Sequence, residues 1–405
     1  MDADLIVIGA GALGLSTALH AALLGRSVIV VERHTAGSQA SGRAAGLFKS
    51  VQADELRTRL ARRSIELALT FADWAGAELD VVRSGSFLIA RTDEHKSYLR
   101  SEARQSAAWG ADVGEARPGE VATRLSCYQG RGEEFALWCP EDIYIEEPVS
   151  LIQAYASASQ LHGVELLDGE SVTAVTLSGT RVTGVETSRR SIAAPVVVDA
   201  AGAWTRQVAA LAGGAVAVAP VRHQLLITEP APDVDPADPI ARIVDAAVYL
   251  RPARGGLMVG GFEAAPLAVD PRAEPASFST DDVPLDLGVL SAMAEQVSFE
   301  VPAASRPAAE HRGGLFTMTP DGRFVTGPVP GLAGLWVASG CNGSGFSSSL
   351  AIGEMLAAWI CDRPERGDIS ALSPARFGPM TDEALVKAGC WQYAHYYDPA
   401  AANLP

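Results

Sequence analysis

The first 32 residues restrict the fold more than anything that follows them. Leu5–Gly9 reads LIVIG, a continuous apolar run of the kind found in strands buried on both faces. GAGALG comes next, with glycines at 9, 11 and 14, and then LSTALHAALL, apolar at helical spacing and stopped by Gly25. Ser27–Glu32, SVIVVE, is a second strand that closes on an acid 18 residues beyond Gly14. Strand, glycine loop, helix, strand and terminal acid in this order form a unit that grips a dinucleotide. Gly9 permits the tight turn, Gly11 the approach of a pyrophosphate, and Gly14 the packing of helix on strand. Ala10, Ala12 and Leu13 complete the loop, and the helix N-terminus offers free N–H donors to phosphate. Glu32 is placed to accept from a ribose 2′-hydroxyl and would repel a 2′-phosphate. FAD or NAD is implied, and NADP is disfavoured.

The totals remove other classes. At 405 residues the chain is long enough for two or three domains. A net charge of -16 argues against nucleic acid and anionic membrane surfaces as partners. Five scattered cysteines, with no CxxC and no histidine pairs, predict no metal site and no disulfide framework. They fit a reduced, cytoplasmic setting. The apolar N-terminus carries Asp2 and Asp4 where a signal peptide is basic. No run approaches the ~20 apolar residues of a membrane span.

The order of elements separates FAD from NAD. A plain NAD-dependent enzyme would continue with short strand–helix units. Here a small-residue loop, His34–Gln52, is followed by a helical stretch, Asp54–Trp74, and a strand pattern at Ser84–Ala90. A helix is predicted over Pro148–His162, three short strands over 163–187, and a buried strand at Pro195–Asp199 ending in DAAGAW. Alternating strands are expected at Val218–Glu229 and Ala247–Glu263, a helix at Val283–Val297, and a last strand at Gly334–Ser339. The chain then enters SGCNGSGFSSSLAIGEMLAAWI, a charge-free glycine mouth on a helix with one acid, Glu354. Nucleotide-type and antiparallel signals interleave. The expected division is 1–80, 145–217 and 310–375 for a discontinuous FAD-binding domain, 81–144 and 218–309 for a substrate domain, and 376–405 for a C-terminal tail.

ASGRAAGLFKS, VVVDAAGAWT, PVRHQLLITEP, VYLRPARGGLMVGGFE, LFTMTPDGRFVTGP and LWVASGCNGSGFSSSLAIGEMLAAWI, together with GAGALG and Glu32, resemble the FAD-dependent D-amino acid oxidase superfamily. Within it they are most similar to the sarcosine oxidase and dimethylglycine oxidase branch. The resemblance implies an α/β fold: a glutathione-reductase-like FAD-binding Rossmann domain plus an α+β substrate domain with a large antiparallel sheet. It implies FAD as cofactor, with Arg33, Ser41, Arg43, Ala44, Ala45, Gly46, Leu47, Val172, Ala201, Gly202, Trp204, Gly314, Gly343, Ser344, Gly345, Phe346 and Ser347 around it. The loop Gly343–Ser347 would lie under the pyrimidine edge of the flavin. There a helix N-terminus stabilises the negative charge of the reduced ring.

The implied reaction is oxidation of the C–N bond of a secondary or N-methylated amine, an amino acid in the family, to an imine. Hydride passes to flavin N5, and dioxygen is the acceptor, giving hydrogen peroxide. By resemblance His223 and Tyr249 line the substrate cavity, and a neutral imidazole is suited to take or orient the amine proton. Lys49, one of three lysines beside 29 arginines, falls where the sarcosine oxidases grip a carboxylate. Their second basic residue is replaced here by Ser347. Arg251 is a further carboxylate candidate because it alternates with Tyr249 along one strand, and Phe316 is placed as a cavity wall. Gly314 stands where those oxidases attach flavin through cysteine, so FAD is expected to be non-covalent. Met258 stands where they place an oxygen-activating lysine. That substitution keeps open a dehydrogenase, or a tailoring oxidase of a larger amine, with another acceptor. A catalytically silent FAD-bound subunit also stays open. So do monomer, homo-oligomer and hetero-complex, and the role of the tail aromatics Trp391, Tyr393, Tyr396 and Tyr397.

Overall fold

The structure, a computed structural model, describes residues 1–130, 132, 134–363 and 367–399. Leu5–Ile8 lies near the centre of a six-stranded sheet, flanked in parallel by Val28–Glu32 and Val196–Asp199. Glu165–Asp168 extends one edge, Leu335–Ser339 the other, and Val325–Pro328 closes that edge antiparallel. The continuous apolar run has a direct cause, because the two faces of this strand enter different cores. Leu5 and Val7 pack with the helices Ala12–Leu23, Pro148–Leu161 and Gly345–Ile360, whereas Ile6 and Ile8 pack under a separate three-stranded sheet. That small sheet is Val172–Ser178, Arg181–Thr187 and Ser191–Ala193. The three strands expected over 163–187 therefore divide: Glu165–Asp168 joins the large sheet and the other two do not.

The second large sheet has eight strands, in the order Ala308–Met318, Ala219–Thr228, Gly256–Gly261, Val248–Ala253, Ile240–Ile243, Ser86–Ala90, Phe135–Cys139 and Gly114–Glu115. Its pairs are antiparallel except Ile240–Ile243 with Ser86–Ala90. Ile240–Ile243, IARI, is too short to show a period, and sequence reading passes over it. One face carries Phe87, Ile89, Leu226, Val248, Leu250 and Val259 against the helix Leu287–Val297. This helix begins four residues later than expected, because Asp286 caps it by accepting from the Val289 N–H.

The C-terminal segment forms a helix, Asp382–Ala394, capped by Thr381. Its buried residues Leu385, Gly389 and Tyr393 recur every four positions and so share one face. That face lies on the strands Ala219–Thr228 and Ala308–Met318. A Cβ on Gly389 would sit 2.9 Å from the Ala219 Cβ and 3.2 Å from the Met318 Cβ. No helix among the described residues is long and apolar enough to cross a membrane.

Candidate active site

A cavity of about 840 Å³ runs from the glycine loop of the six-stranded sheet to the inner face of the eight-stranded one. At the first end Gly9 has φ +104°, and a Cβ there would lie 2.6 Å from the Ala200 carbonyl oxygen. A Cβ on Gly14 would lie 2.0 Å from the Gly9 carbonyl oxygen, so this glycine sets the distance between helix and strand. Gly11 faces the cavity, where a Cβ would meet only the Ser41 hydroxyl at 3.1 Å. Glu32 lines the cavity and also braces the loop. One carboxylate oxygen accepts from the Ala10 N–H and the other from the His34 N–H, each at 2.8 Å.

The far end is built by the second glycine motif. Gly343 has φ +83°, and a Cβ on Gly345 would lie 2.5 Å from that of Cys341, so the turn needs both glycines. The helix Gly345–Ile360 starts there with no side-chain cap, leaving its first N–H groups directed at the cavity. The two cavity-facing helices, Ala12–Leu23 and Gly345–Ile360, also cross one another at Gly353. A spacious cleft bounded by two helix N-termini, with an acid at the ribose position and glycines where a Cβ would intrude, fits FAD.

The cavity is lined by Gly9, Gly11, Ala12, Leu13, Glu32, Arg33, Ser41, Arg43, Ala44, Ala45, Gly46, Leu47, Val172, Ala201, Gly202, Trp204, Gly314 and the stretch 343–347. Ala10 and Gly14 lie behind it. Arg43 donates to Asp281 at 2.6 Å and to the Ser38 carbonyl at 3.2 Å. The Arg33 guanidinium covers the Trp204 ring at 4.7 Å.

Above the second helix N-terminus the walls become aromatic. His223 is 6% exposed and stacks on Phe316, with centroids 4.2 Å apart and planes 16° off parallel. Its Nε2 lies 2.8 Å from the Tyr249 hydroxyl and its Nδ1 lies 2.8 Å from the Tyr393 hydroxyl. Burial pulls the imidazole down to about 3 and pushes the Tyr249 hydroxyl above its ordinary range. The ring is therefore neutral, one nitrogen donating and the other accepting. Phe262, Tyr396 and Tyr397 add to the walls, with Phe262 and Tyr396 stacked at 4.0 Å. Lys49 also faces the cavity; its ammonium is 3.5 Å from the buried Glu102 carboxylate.

Two residues expected at the substrate lie elsewhere. Arg251 is fully buried, and its guanidinium donates to the carbonyls of Ala45, Pro252 and Glu146 at 3.0, 2.7 and 2.8 Å. It stacks on Tyr144 at 4.6 Å, so it ties a loop to the sheet, and burial pulls it down to about 10. Met258 packs with Leu225, Ile227 and Ala253 in an apolar cluster and does not face the cavity. Strand alternation placed Arg251 with Tyr249 correctly, but the loop Ala44–Gly46 lies between the guanidinium and the cavity. Sequence reading also missed Arg242, Arg312 and Phe262 in the lining. Nothing local marks them, since the cavity collects its walls from segments far apart in the sequence. Tyr393, Tyr396 and Tyr397 did stand out as an aromatic cluster, but their place was not readable.

A family model described as FAD dependent oxidoreductase matches residues 4–359. Human mitochondrial sarcosine dehydrogenase is 28% identical over 379 residues, covering 90% of this chain and 40% of that protein. The 4-methylaminobutanoate oxidase (formaldehyde-forming) of Paenarthrobacter nicotinovorans is 29% identical over 391 residues, covering 95% of this chain and 47% of that one. The chain thus spans less than half the length of these two curated relatives. Among solved structures, L-proline dehydrogenase from P. horikoshii superposes with a TM-score of 0.83 at 23% identity, covering 93% of this chain and 98% of that one.

Proposed function

Because the chain belongs to the FAD dependent oxidoreductase family, we propose that it oxidises the C–N bond of a secondary or N-methylated amine to an imine, which water then hydrolyses. The observation that carries this reading is the His223 ring held between two tyrosine hydroxyls above the second helix N-terminus. Bound FAD supplies the two-electron acceptor. The protein's part is to seat the amine and to take its proton. An ammonium holds its nitrogen lone pair in an N–H bond and must lose that proton before the adjacent C–H bond can give up its electron pair. The Tyr249 hydroxyl faces the cavity and meets this nitrogen, with His223 behind it. Phe262, Phe316, Tyr396 and Tyr397 keep water from the reacting carbon. Lys49 offers a positive charge to a carboxylate on the substrate. The names of the two curated relatives, sarcosine and a methylaminobutanoate, support an N-methyl amine bearing such a group.

Dioxygen is the acceptor we assign, with Lys49 as the cation that favours its reduction. Met258, packed away from the cavity, contributes none. Its absence there favours the second reading, a dehydrogenase that passes electrons to another acceptor. We also infer that FAD is held without a covalent bond.

One experiment tests these readings: anaerobic bleaching of the flavin near ~450 nm by sarcosine, other N-methyl amino acids, proline, glycine and D-amino acids, followed by air. Bleaching by an N-methyl or cyclic amine with rapid recovery supports the oxidase. Bleaching with slow recovery supports the dehydrogenase. No bleaching by any of them overturns the amine assignment. In the oxidase or dehydrogenase, His223→Ala is expected to slow bleaching by roughly 10²–10⁴.

A further inference from the structure

We propose that the cavity ends in an anion pocket built by Arg242, Lys49 and Tyr397, and that this pocket takes the carboxylate of the amine substrate. The inference rests on the function proposed above and adds the groups that recognise the charged end of the substrate. Arg242 sits on the strand Ile240–Ile243, directly across from Tyr249 in the antiparallel pair. Residues opposite each other in a ladder carry their side chains on one face, so Arg242 shares the inner face of the sheet with Tyr249 and lines the cavity. It is 3% exposed. A guanidinium has five N–H donors. Among the described residues this one makes a single contact, from Nη1 to the Asp142 carboxylate at 3.2 Å. Desolvated donors without a partner are costly, and the cavity is where a partner can meet them.

Asp142 does not claim the remaining donors. It is completely buried, and its carboxylate already accepts from the Ser50 N–H, the Ser50 hydroxyl and the Ser86 hydroxyl at 2.7, 2.6 and 2.6 Å. It holds one edge of the guanidinium fork and leaves another for a planar carboxylate. Two further groups converge there. The Lys49 ammonium lies 5.9 Å from the centre of the Tyr397 ring. Tyr397 is 7% exposed and lines the cavity, yet its hydroxyl makes no hydrogen bond among the described residues. The charge of Arg242 acts on both the Tyr397 and the Tyr249 hydroxyls, and Arg242 and Lys49 both act on the Cys139 thiol. These relations gather guanidinium, ammonium and phenol at one end of the cavity.

Arg312, three strands from Tyr249 in the same cross-strand row, does not fit this role. Its terminal nitrogens donate to Glu310 at 3.2 Å and to the Ala44 carbonyl at 3.3 Å. Its Nε has no partner and is sealed off from the cavity. The unmatched nitrogens of Arg242 are not sealed in this way.

The test is titration of FAD-loaded protein with acetate, propanoate and butanoate, each beside its uncharged amide. Binding is read from the visible spectrum of the flavin and from the rise in unfolding temperature, so no turnover is needed. We expect carboxylates to bind and the amides not to. Arg242→Gln should weaken carboxylate binding roughly 10- to 100-fold. Arg242→Lys should recover only part of the loss, because an ammonium lacks the planar fork. Tyr397→Phe removes a hydroxyl that has no partner in the protein, so stability should hold while carboxylate affinity falls about 2- to 10-fold. Arg312→Gln should leave the affinity unchanged. Should Arg242→Gln fail to fold, because Asp142 loses its cation, Arg242→Lys and Tyr397→Phe decide. The proposal is overturned if no carboxylate binds the wild type, if the Arg242 and Tyr397 variants bind as the wild type does, or if affinity depends on Arg312 instead. It is also overturned if Arg242→Gln loses FAD but keeps its carboxylate affinity. Carboxylate binding through Arg242 with no amine able to bleach the flavin would leave the pocket standing and remove the proposed function. Bleaching by amines with no carboxylate binding would do the reverse.

Discussion

Gly353 passes so close to Ser16 that a Cβ placed on it would lie 2.2 Å from the Ser16 hydroxyl oxygen and 2.7 Å from the Ser16 backbone. This crossing fixes the angle between the two helices whose N-termini bound the cavity. The glycine thereby couples the first sequence motif to the last. Replacing Gly353 with valine should destabilise the protein by about 1–3 kcal/mol through overpacking and weaken FAD retention as well. Thermal unfolding with and without added FAD measures both, and an unchanged midpoint would show that the crossing tolerates the volume.

Glu32 braces the loop it also helps to form. Glu32→Ala removes the acceptor for the Ala10 and His34 N–H groups together with the contact to the FAD ribose that we propose for it. Hydrogen bonds to a charged acceptor contribute about 1.5–3 kcal/mol. FAD affinity, followed by fluorescence titration, should therefore fall roughly 10- to 100-fold.

Lys49 and Glu102 form a charge pair at the wall of the cavity. Lys49→Met is expected to raise KM for amines that carry a carboxylate more than for simple amines. It also leaves Glu102 without its cation, so stability should fall. Adding Glu102→Gln should restore stability but not KM. Equal KM changes for both substrate types would remove Lys49 from carboxylate recognition.

His223 makes stability depend on acid. Its native value, about 3, lies below the ~6.5 of an unfolded histidine. The unfolded chain therefore binds a proton that the native state refuses. The contribution is fully present above ~6.5 and is lost as pH falls toward 3. Urea midpoints at pH 7 and pH 5 should differ more for the wild type than for His223→Gln.

Non-covalent FAD predicts that acid precipitation leaves all yellow colour in the supernatant. The position that Gly314 occupies is tight, since even a Cβ would lie 3.2 Å from the Ala40 Cα. Colour in the pellet would show a covalent link elsewhere.

Gly9, Gly14, Glu32 and Gly343–Ser347 were legible in the sequence because each acts through local backbone geometry, and local geometry is written in consecutive residues. The division of Leu5–Ile8 between two cores was legible for the same reason, as an uninterrupted apolar run. Arg251 shows where this stops: its strand face was readable, but the loop that covers it arrives from some 200 residues away. Met258 was assigned to the flavin by position; it shares the sheet face of Arg251, its partner across the strands, but lies in an apolar cluster against Ala45, so the same distant loop separates it from the cavity. Tyr393 marks the same boundary from the other side. Sequence alone determined a two-part FAD-binding α/β protein with a histidine and a tyrosine 26 residues apart. Only the tertiary structure brought the last helix, 170 residues beyond His223, against the other side of that ring, because hydrogen bonds between distant segments depend on packing that no local pattern encodes.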